Sequence, residues 1–200
     1  MDEREFFDKL APTWDANEIL STPEHVRHIL SLIGIKRGDR VLDLGTGTGV
    51  LLPAIAELIG PEGKITAIDY STGMLDIARR KFSGLNPSPE FLCMDFETET
   101  IEGVYDVIFL YCVYPHLHTP VDTIKWLRAI NLSDDGSIIV AFPSDEHFIN
   151  SVHREKHSES DHLPPADELA EWFRLNGLDA RVVEADDSNY IISISKNPCE

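Results

Sequence analysis

The stretch Asp43-Leu44-Gly45-Thr46-Gly47-Thr48-Gly49 combines residue types and spacing that point directly to chemistry. It follows the apolar Val41-Leu42 and precedes apolar residues at helical spacing, so a strand should run into a glycine turn that opens a helix. Glycines let the backbone approach a ligand closely, and the first N–H groups of the helix face it. The spacing is Gly-x-Gly-x-Gly, without the extra residue of the dinucleotide fingerprint Gly-x-Gly-x-x-Gly. A carboxylate at Asp43 would repel a pyrophosphate beside such a turn and attract a positively charged ligand. Two more acids, Asp69 and Asp95, close the second and third apolar runs. Asp69 could accept two hydrogen bonds from the ribose hydroxyls of a nucleoside, and Asp95 could reach an adenine amino group. A single Asp after a strand is commonly a turn cap. Three at consecutive strand ends argue for a shared ligand.

A second set of reactive side chains lies further on. His116 and His118 follow the fourth apolar run, His147, His153 and His157 follow the fifth, and Cys112 sits at the tip of the fourth. Imidazole and thiolate ligate zinc, iron and cobalt, so His116 and His153, with Cys112 or His118, could grip a metal or a metal-bearing acceptor. His116 could instead act as a general base, with His153 beside it at the reacting group. The plainer alternative is a solvated loop of polar residues, with Cys112 a small core residue. His153 and His157 share a helical face, and Asn150 would lie one turn before His153. No glutamate follows the first of that pair as in zinc proteases.

These residues need a scaffold, and the apolar patterning supplies one. Helices are predicted over 23–33, 50–59, 71–82, 120–130 and 165–176, the first opened by Ser21-Thr22-Pro23 as cap and first turn. Strands are predicted over 41–44, 64–69, 90–94, 105–113 and 137–142, alternating with those helices. The alternation implies a parallel sheet covered on both faces. Residues 180–184 and 190–195 are joined by too few residues for a crossover helix and should pair antiparallel. The expected fold class is α/β: a Rossmann-like, doubly wound sheet of seven strands, mostly parallel with one antiparallel C-terminal strand, and helices on both faces. Residues 143–164 resist assignment.

Composition narrows the function. The formal net charge is −18, from 17 basic against 35 acidic residues, so the surface field repels phosphate backbones and no nucleic-acid partner is expected. The acid excess would also suit a saline interior. Cys93, Cys112 and Cys199 have neither disulfide-framework nor zinc-knuckle spacing, and the N-terminal residues lack a secretory pattern. No apolar run is long enough to cross a bilayer, so the expectation is a cytoplasmic protein with no membrane partner.

Three segments carry a family resemblance. Val41 to Gly49, Ala67-Ile68-Asp69-Tyr70-Ser71-Thr72-Gly73-Met74-Leu75 and Cys93-Met94-Asp95-Phe96 resemble successive motifs of class I S-adenosylmethionine methyltransferases. The similarity is to the branch holding the ubiquinone and menaquinone biosynthesis enzymes and many small-molecule methyltransferases. Phe6-Phe7-Asp8-Lys9-Leu10-Ala11-Pro12-Thr13-Trp14-Asp15 resembles that branch's N-terminal lid, and Tyr105-Asp106-Val107-Ile108 its fourth strand. The resemblance implies S-adenosylmethionine as cofactor, cradled by Asp43, Gly45, Thr46, Gly47 and Gly49. Asp69 would take the ribose, Asp95 and Phe96 the adenine, while Tyr70 and Met74 pack on purine and ribose and Tyr111 borders the site. It also implies one domain: a helical lid over 1–34, a cofactor core over 35–142, an acceptor-side insertion over 143–164, and a closing helix and strand pair over 165–200.

The chain departs from the family at Arg128-Ala129-Ile130-Asn131-Leu132-Ser133-Asp134-Asp135-Gly136, in place of the usual Arg-x-Leu-x-x-Gly-Gly. Tyr111-Cys112-Val113-Tyr114-Pro115-His116-Leu117-His118 stands where amide and adenine methylases carry Asn-Pro-Pro-Tyr, which disfavours those acceptors. The expected partner is a small-molecule acceptor, with Phe6, Phe7, Trp14 and Tyr114 lining its cavity or packing on the sheet edge. The competing readings are an S-adenosylmethionine-binding or scaffold subunit without catalysis, a nucleotide-sugar or NAD oxidoreductase, and methylation or binding of a metal-containing acceptor.

Overall fold

The strands predicted from apolar runs assemble as β1 (Arg40–Leu44), β2 (Lys64–Asp69), β3 (Glu90–Cys93), β4 (Tyr105–Tyr111), β5 (Leu132–Phe142), β6 (Asp179–Ala185) and β7 (Tyr190–Ser195). They appear in a computed structural model that describes residues 3–17, 20–155 and 162–197. The sheet order is β3-β2-β1-β4-β5-β7-β6, parallel from β3 through β5 and antiparallel at both contacts of β7. Consecutive strands run outward from β1 to β3 on one side and from β4 to β5 on the other. The chain therefore reverses direction between β1 and β4, where a crevice forms outside the carboxyl ends of the strands.

The pleat sorts side chains onto the two faces, because successive residues of a strand point in opposite directions. Leu42 and Leu44 of β1 join Ile108 and Leu110 of β4 on one face, and Val41 joins Val107 and Phe109 on the other. Helix α6 (Pro120–Ile130) covers the first face with Ile124 and Leu127, and α8 (Ala166–Leu175) with Leu169 and Phe173. Helix α3 (Pro23–Ser31) and helix α4 (Leu52–Ile59) cover the second with Val26, Ile29, Leu30, Leu52, Ile55 and Ile59. The cap read from sequence is formed by Thr22, whose side chain accepts the His25 N–H at 3.2 Å, with Pro23 in the first turn.

Helix α1 (Glu3–Leu10), a 3-10 turn at Ala11–Thr13 and α2 (Trp14–Asn17) precede α3, and the first two pack on α5 (Thr72–Lys81). The unassigned stretch holds α7 (Glu146–Glu155), started by Asp145, whose carboxylate accepts the Phe148 N–H at 2.7 Å. Asn150 of α7 is buried and clamps one backbone residue, its side chain both donating to the Leu163 carbonyl and accepting the Leu163 N–H at 2.8 Å. That commitment keeps Asn150 out of any pocket at the strand tips. β5 begins five residues earlier than the sequence suggests, since Leu132 pairs with Tyr105 before a bulge shifts the register to Val107 opposite Ser137. The polar Ser133-Asp134-Asp135-Gly136 occupies that bulge and masks the strand pattern. Among the described residues no helix is long and apolar enough to cross a membrane.

Candidate cofactor site at the strand tips

β1 delivers its last residues into the crevice, and the turn after it is shaped by two glycines that no other residue could replace without strain. Gly45 has φ +67°, and a Cβ there would lie 2.5 Å from Cγ2 of Val113. Gly47 has φ +55° with open space where a Cβ would stand, so bare backbone faces the crevice. The Thr46 N–H donates to the Ile68 carbonyl at 2.9 Å, tying the turn to the end of β2.

Two carboxylates lie under this turn. Asp43 is 1% exposed; its Oδ2 accepts the Thr46 hydroxyl at 2.7 Å, while its Oδ1 is buried with no hydrogen-bond partner. Burial pushes its pKa up to about 7, against the Thr46 hydrogen bond and with the help of the Asp69 charge. Asp69 is 6% exposed and accepts the Gly47 and Ser71 N–H groups, each at 2.8 Å on separate oxygens. Burial raises its pKa to about 6, partly offset by those N–H groups, with the Asp8 charge adding to the rise. Each Asp69 oxygen retains a lone pair for ribose hydroxyls. An orphan buried acceptor costs about 1–3 kcal/mol. A cation seated over Gly47 would remove that cost and favour ionised Asp43, so these residues fit a positively charged nucleoside ligand.

The N-terminal segment is pinned across this crevice. Asp8 accepts the Ser71 hydroxyl at 2.6 Å and the Gly73 N–H at 2.9 Å, and these bonds hold its carboxyl below the usual range. Asp15 accepts the Thr48 hydroxyl at 2.5 Å and Lys81 Nζ at 2.8 Å. Burial would raise the Asp15 pKa, but Lys81 and Thr48 outweigh it and the net direction is down. Between these anchors the Phe7 ring lies 6.1 Å from Tyr70, 5.8 Å from Trp14 and 5.6 Å from His116, centroid to centroid. Phe7 thus links the cofactor side to the segment after β4. Sequence reasoning singled out the aromatics of this segment but not Asp8 and Asp15; the only signal was two acids spaced along an aromatic helix.

The other predicted residues divide. Met74 is buried, its N–H donating to the Ser71 hydroxyl at 3.1 Å, and Tyr70 is half-buried. Tyr111 is buried at the tip of β4, with its hydroxyl 2.8 Å from that of Ser21. Asp95 is exposed, and its carboxylate accepts the Glu97 N–H at 3.0 Å and the Thr98 hydroxyl at 2.9 Å, the turn-cap arrangement weighed above. Phe96 is half-buried against the core.

Glu97, unremarked in the sequence, caps α6 through the His118 and Thr119 N–H groups and the Thr123 hydroxyl, at 3.0–3.1 Å. Burial acts to raise its pKa, but the His118 and Thr119 bonds prevail and hold it down.

The histidines whose side chains are described do not converge. His116 is half-buried in a 3-10 turn, Tyr114–His116, edge-on to Phe7. His118 is exposed and its Nδ1 lies 3.0 Å from Glu97, while His147 is exposed beside Glu146. Cys112 adopts φ 57°, uncommon for a residue with a Cβ, and its N–H donates to the Ala141 carbonyl at 2.9 Å, turning the chain toward the crevice. His153 lies on the last turns of α7 with its side chain outside the described residues, and His157 lies outside them altogether. Among the described residues no three His, Cys, Asp or Glu groups gather as a metal site.

Sheet order and crevice together define a doubly wound α/β fold, with Asp43, Asp69 and the glycine turn at its switch point. Comparison with known proteins makes this specific. Residues 41–131 match the model of a methyltransferase domain. Demethylmenaquinone methyltransferase of Symbiobacterium thermophilum is 37% identical over 113 residues, which is 50% of this chain and 45% of that relative. The chain thus spans less than half the length of that curated relative. A SAM-dependent methyltransferase from Aquifex aeolicus superposes with a TM-score of 0.71 at 21% identity, covering 97% of this chain and 98% of that one. The plantazolicin methyltransferase BpumL in complex with SAH gives 0.67 at 16%, covering 98% and 97%. These findings support a class I S-adenosylmethionine methyltransferase: residues 41–131 match a methyltransferase domain, and the chain has the Rossmann-like methyltransferase fold.

Proposed function

We propose that this chain transfers the methyl group of S-adenosylmethionine to a small-molecule acceptor held outside the tips of β4 and β5. The observation that carries the reading is the buried, unpartnered Oδ1 of Asp43 beside the open backbone of Gly47. An anion there suits the ammonium of the cofactor's amino acid part and opposes the pyrophosphate of NAD. Thr46 orients Asp43 through its hydroxyl, and Gly45 and Gly49 hold the turn around the amino acid portion. Asp69 takes the ribose with its free lone pairs. Tyr70 and Met74 pack on the nucleoside, Asp95 and Phe96 border the adenine, and Tyr111 closes the floor at β4. Cys93 and Cys112, in no disulfide among the described residues, fit a reducing cytoplasm.

The bound cofactor would supply a methyl group on a positively charged sulfur, already activated toward a nucleophile. The protein's task is then to align the acceptor and exclude water. Phe7, held over Tyr70 and His116, excludes water from above. His116 receives a proton where the acceptor bears one, and His153 is assigned to the same acceptor side. Calorimetric titration with S-adenosylmethionine, S-adenosylhomocysteine and NAD tests the cofactor: the first two should bind and NAD should not. His116→Ala should leave cofactor affinity unchanged and slow transfer by about 10²–10⁴-fold, the usual share of a general base. Unaltered turnover in that variant, measured with labelled cofactor on a cell extract, would remove His116 from the mechanism.

A further inference from the structure

A cavity of about 390 Å³ opens beside the segment after β4, walled by Tyr114, Pro164, Glu168, Leu169 and Trp172.

Its size suits a small molecule. Tyr114 stands in the same 3-10 turn as His116, so this cavity adjoins the segment that Phe7 links to the cofactor side. The Tyr114 side chain is buried, packs edge-on against Phe173 at 5.8 Å, and forms no hydrogen bond with any described residue. Burial alone pushes its pKa up to about 12. The Tyr190 hydroxyl donates to the carbonyl of Pro164, a wall residue, at 3.0 Å.

Trp172 is 52% exposed although it is the largest apolar side chain on α8. Glu168, in the first turn of α8, is exposed and has no ion-pair partner among the described residues. No lysine or arginine lines the cavity among the described residues. An indole face, a phenol with free lone pairs and an unpaired carboxylate are the groups that recognise an organic cation.

We infer that this cavity binds a small organic ammonium ion. Its assignment as the acceptor's recognition subsite rests on the methyl-transfer reading above, whereas the binding itself does not.

The test is a calorimetric titration of the full chain with choline and with its uncharged isostere, in which a quaternary carbon replaces the nitrogen. Choline should bind and the isostere should bind about tenfold more weakly, the combined share of an exposed cation–π contact and a solvent-exposed ion pair. Trp172→Ala should weaken choline binding by about two- to fivefold, as for an exposed cation–π contact, and Glu168→Gln by about threefold, as for a solvent-exposed ion pair. Both positions are exposed, so melting temperature and S-adenosylhomocysteine affinity should stay at their native values. Equal binding of choline and isostere, native choline affinity in both variants, or no choline binding at millimolar concentration would each overturn the inference. Loss of cofactor binding with choline binding intact would instead remove the methyl-transfer reading and leave the cation site standing.

Discussion

Asp43→Asn is expected to weaken S-adenosylmethionine binding by roughly 3–5 kcal/mol, about 10²–10³-fold or more, because it leaves a buried charge without its counter-charge. The substitution keeps the shape of the side chain and a partner for the Thr46 hydroxyl, so the turn should survive. The same change should raise the melting temperature of the ligand-free protein at pH 8. There, folding holds an ionised carboxylate at a site 1% exposed with one oxygen unpartnered, and asparagine carries no such charge. Opposite signs on binding and stability mark a residue kept for its ligand. A titration and a thermal melt on one preparation read both. Native affinity in Asp43→Asn would show that the ligand's positive charge is met elsewhere.

The second large effect is on pH. Asp43 and Asp69 have folded-state pKa values raised from 3.8 to about 7 and about 6, in each case chiefly by burial. Between the unfolded and folded values the native state holds protons that the unfolded chain has released. The ligand-free protein therefore loses stability as pH rises through about 4 to 7, and the loss is complete above the folded values. Asp8, Asp15, Glu97 and Asp106 shift downward, so their contribution has the other sign and is lost only as pH falls below the ordinary carboxylate range. A drop in melting temperature of about 8–16 °C from pH 5 to pH 8 is expected, from about 4 kcal/mol of linked proton release at about 2–4 °C per kcal/mol for a chain of this size. Saturating S-adenosylmethionine should abolish the drop, since a cation over Asp43 favours the ionised form. Its affinity should rise with pH up to about 7 and then level, a binding counterpart of the Asp43 titration. Differential scanning calorimetry with and without the ligand measures the first effect; a flat ligand-free profile would mean that neither acid is desolvated.

Much of the scaffold was legible because buried parallel strands leave dense apolar runs, and Val41-Leu42, Ile65 to Ile68 and Val107 to Leu110 are such runs. The pairing of β6 with β7 was legible from a connection too short for a helix. The start of β5 was not, since a bulge filled by Ser133 to Gly136 has the composition of a turn. Nor was α7: its anchors are Ile149 and the polar Asn150, which binds backbone, so apolar periodicity underreports its buried face.

At the site, the glycine turn and the paired acids Asp43 and Asp69 could be read from local sequence because strand ends fix where they lie. Asp8, Asp15 and Glu97 could not. Their partners are 65, 33 and 21 residues away, at Gly73, Thr48 and His118, and no local pattern encodes such contacts. Asp95 shows the converse, a motif position whose carboxylate is already engaged by its own turn.

A crystal structure grown with S-adenosylmethionine tests the whole account at its centre. The ligand's ammonium should lie within hydrogen-bond distance of Asp43 Oδ1, its backbone over Gly47 and its ribose on Asp69. Electron density for the ligand away from the tips of β1, β2 and β3, or an Asp43 oxygen still without a partner in the complex, would contradict it.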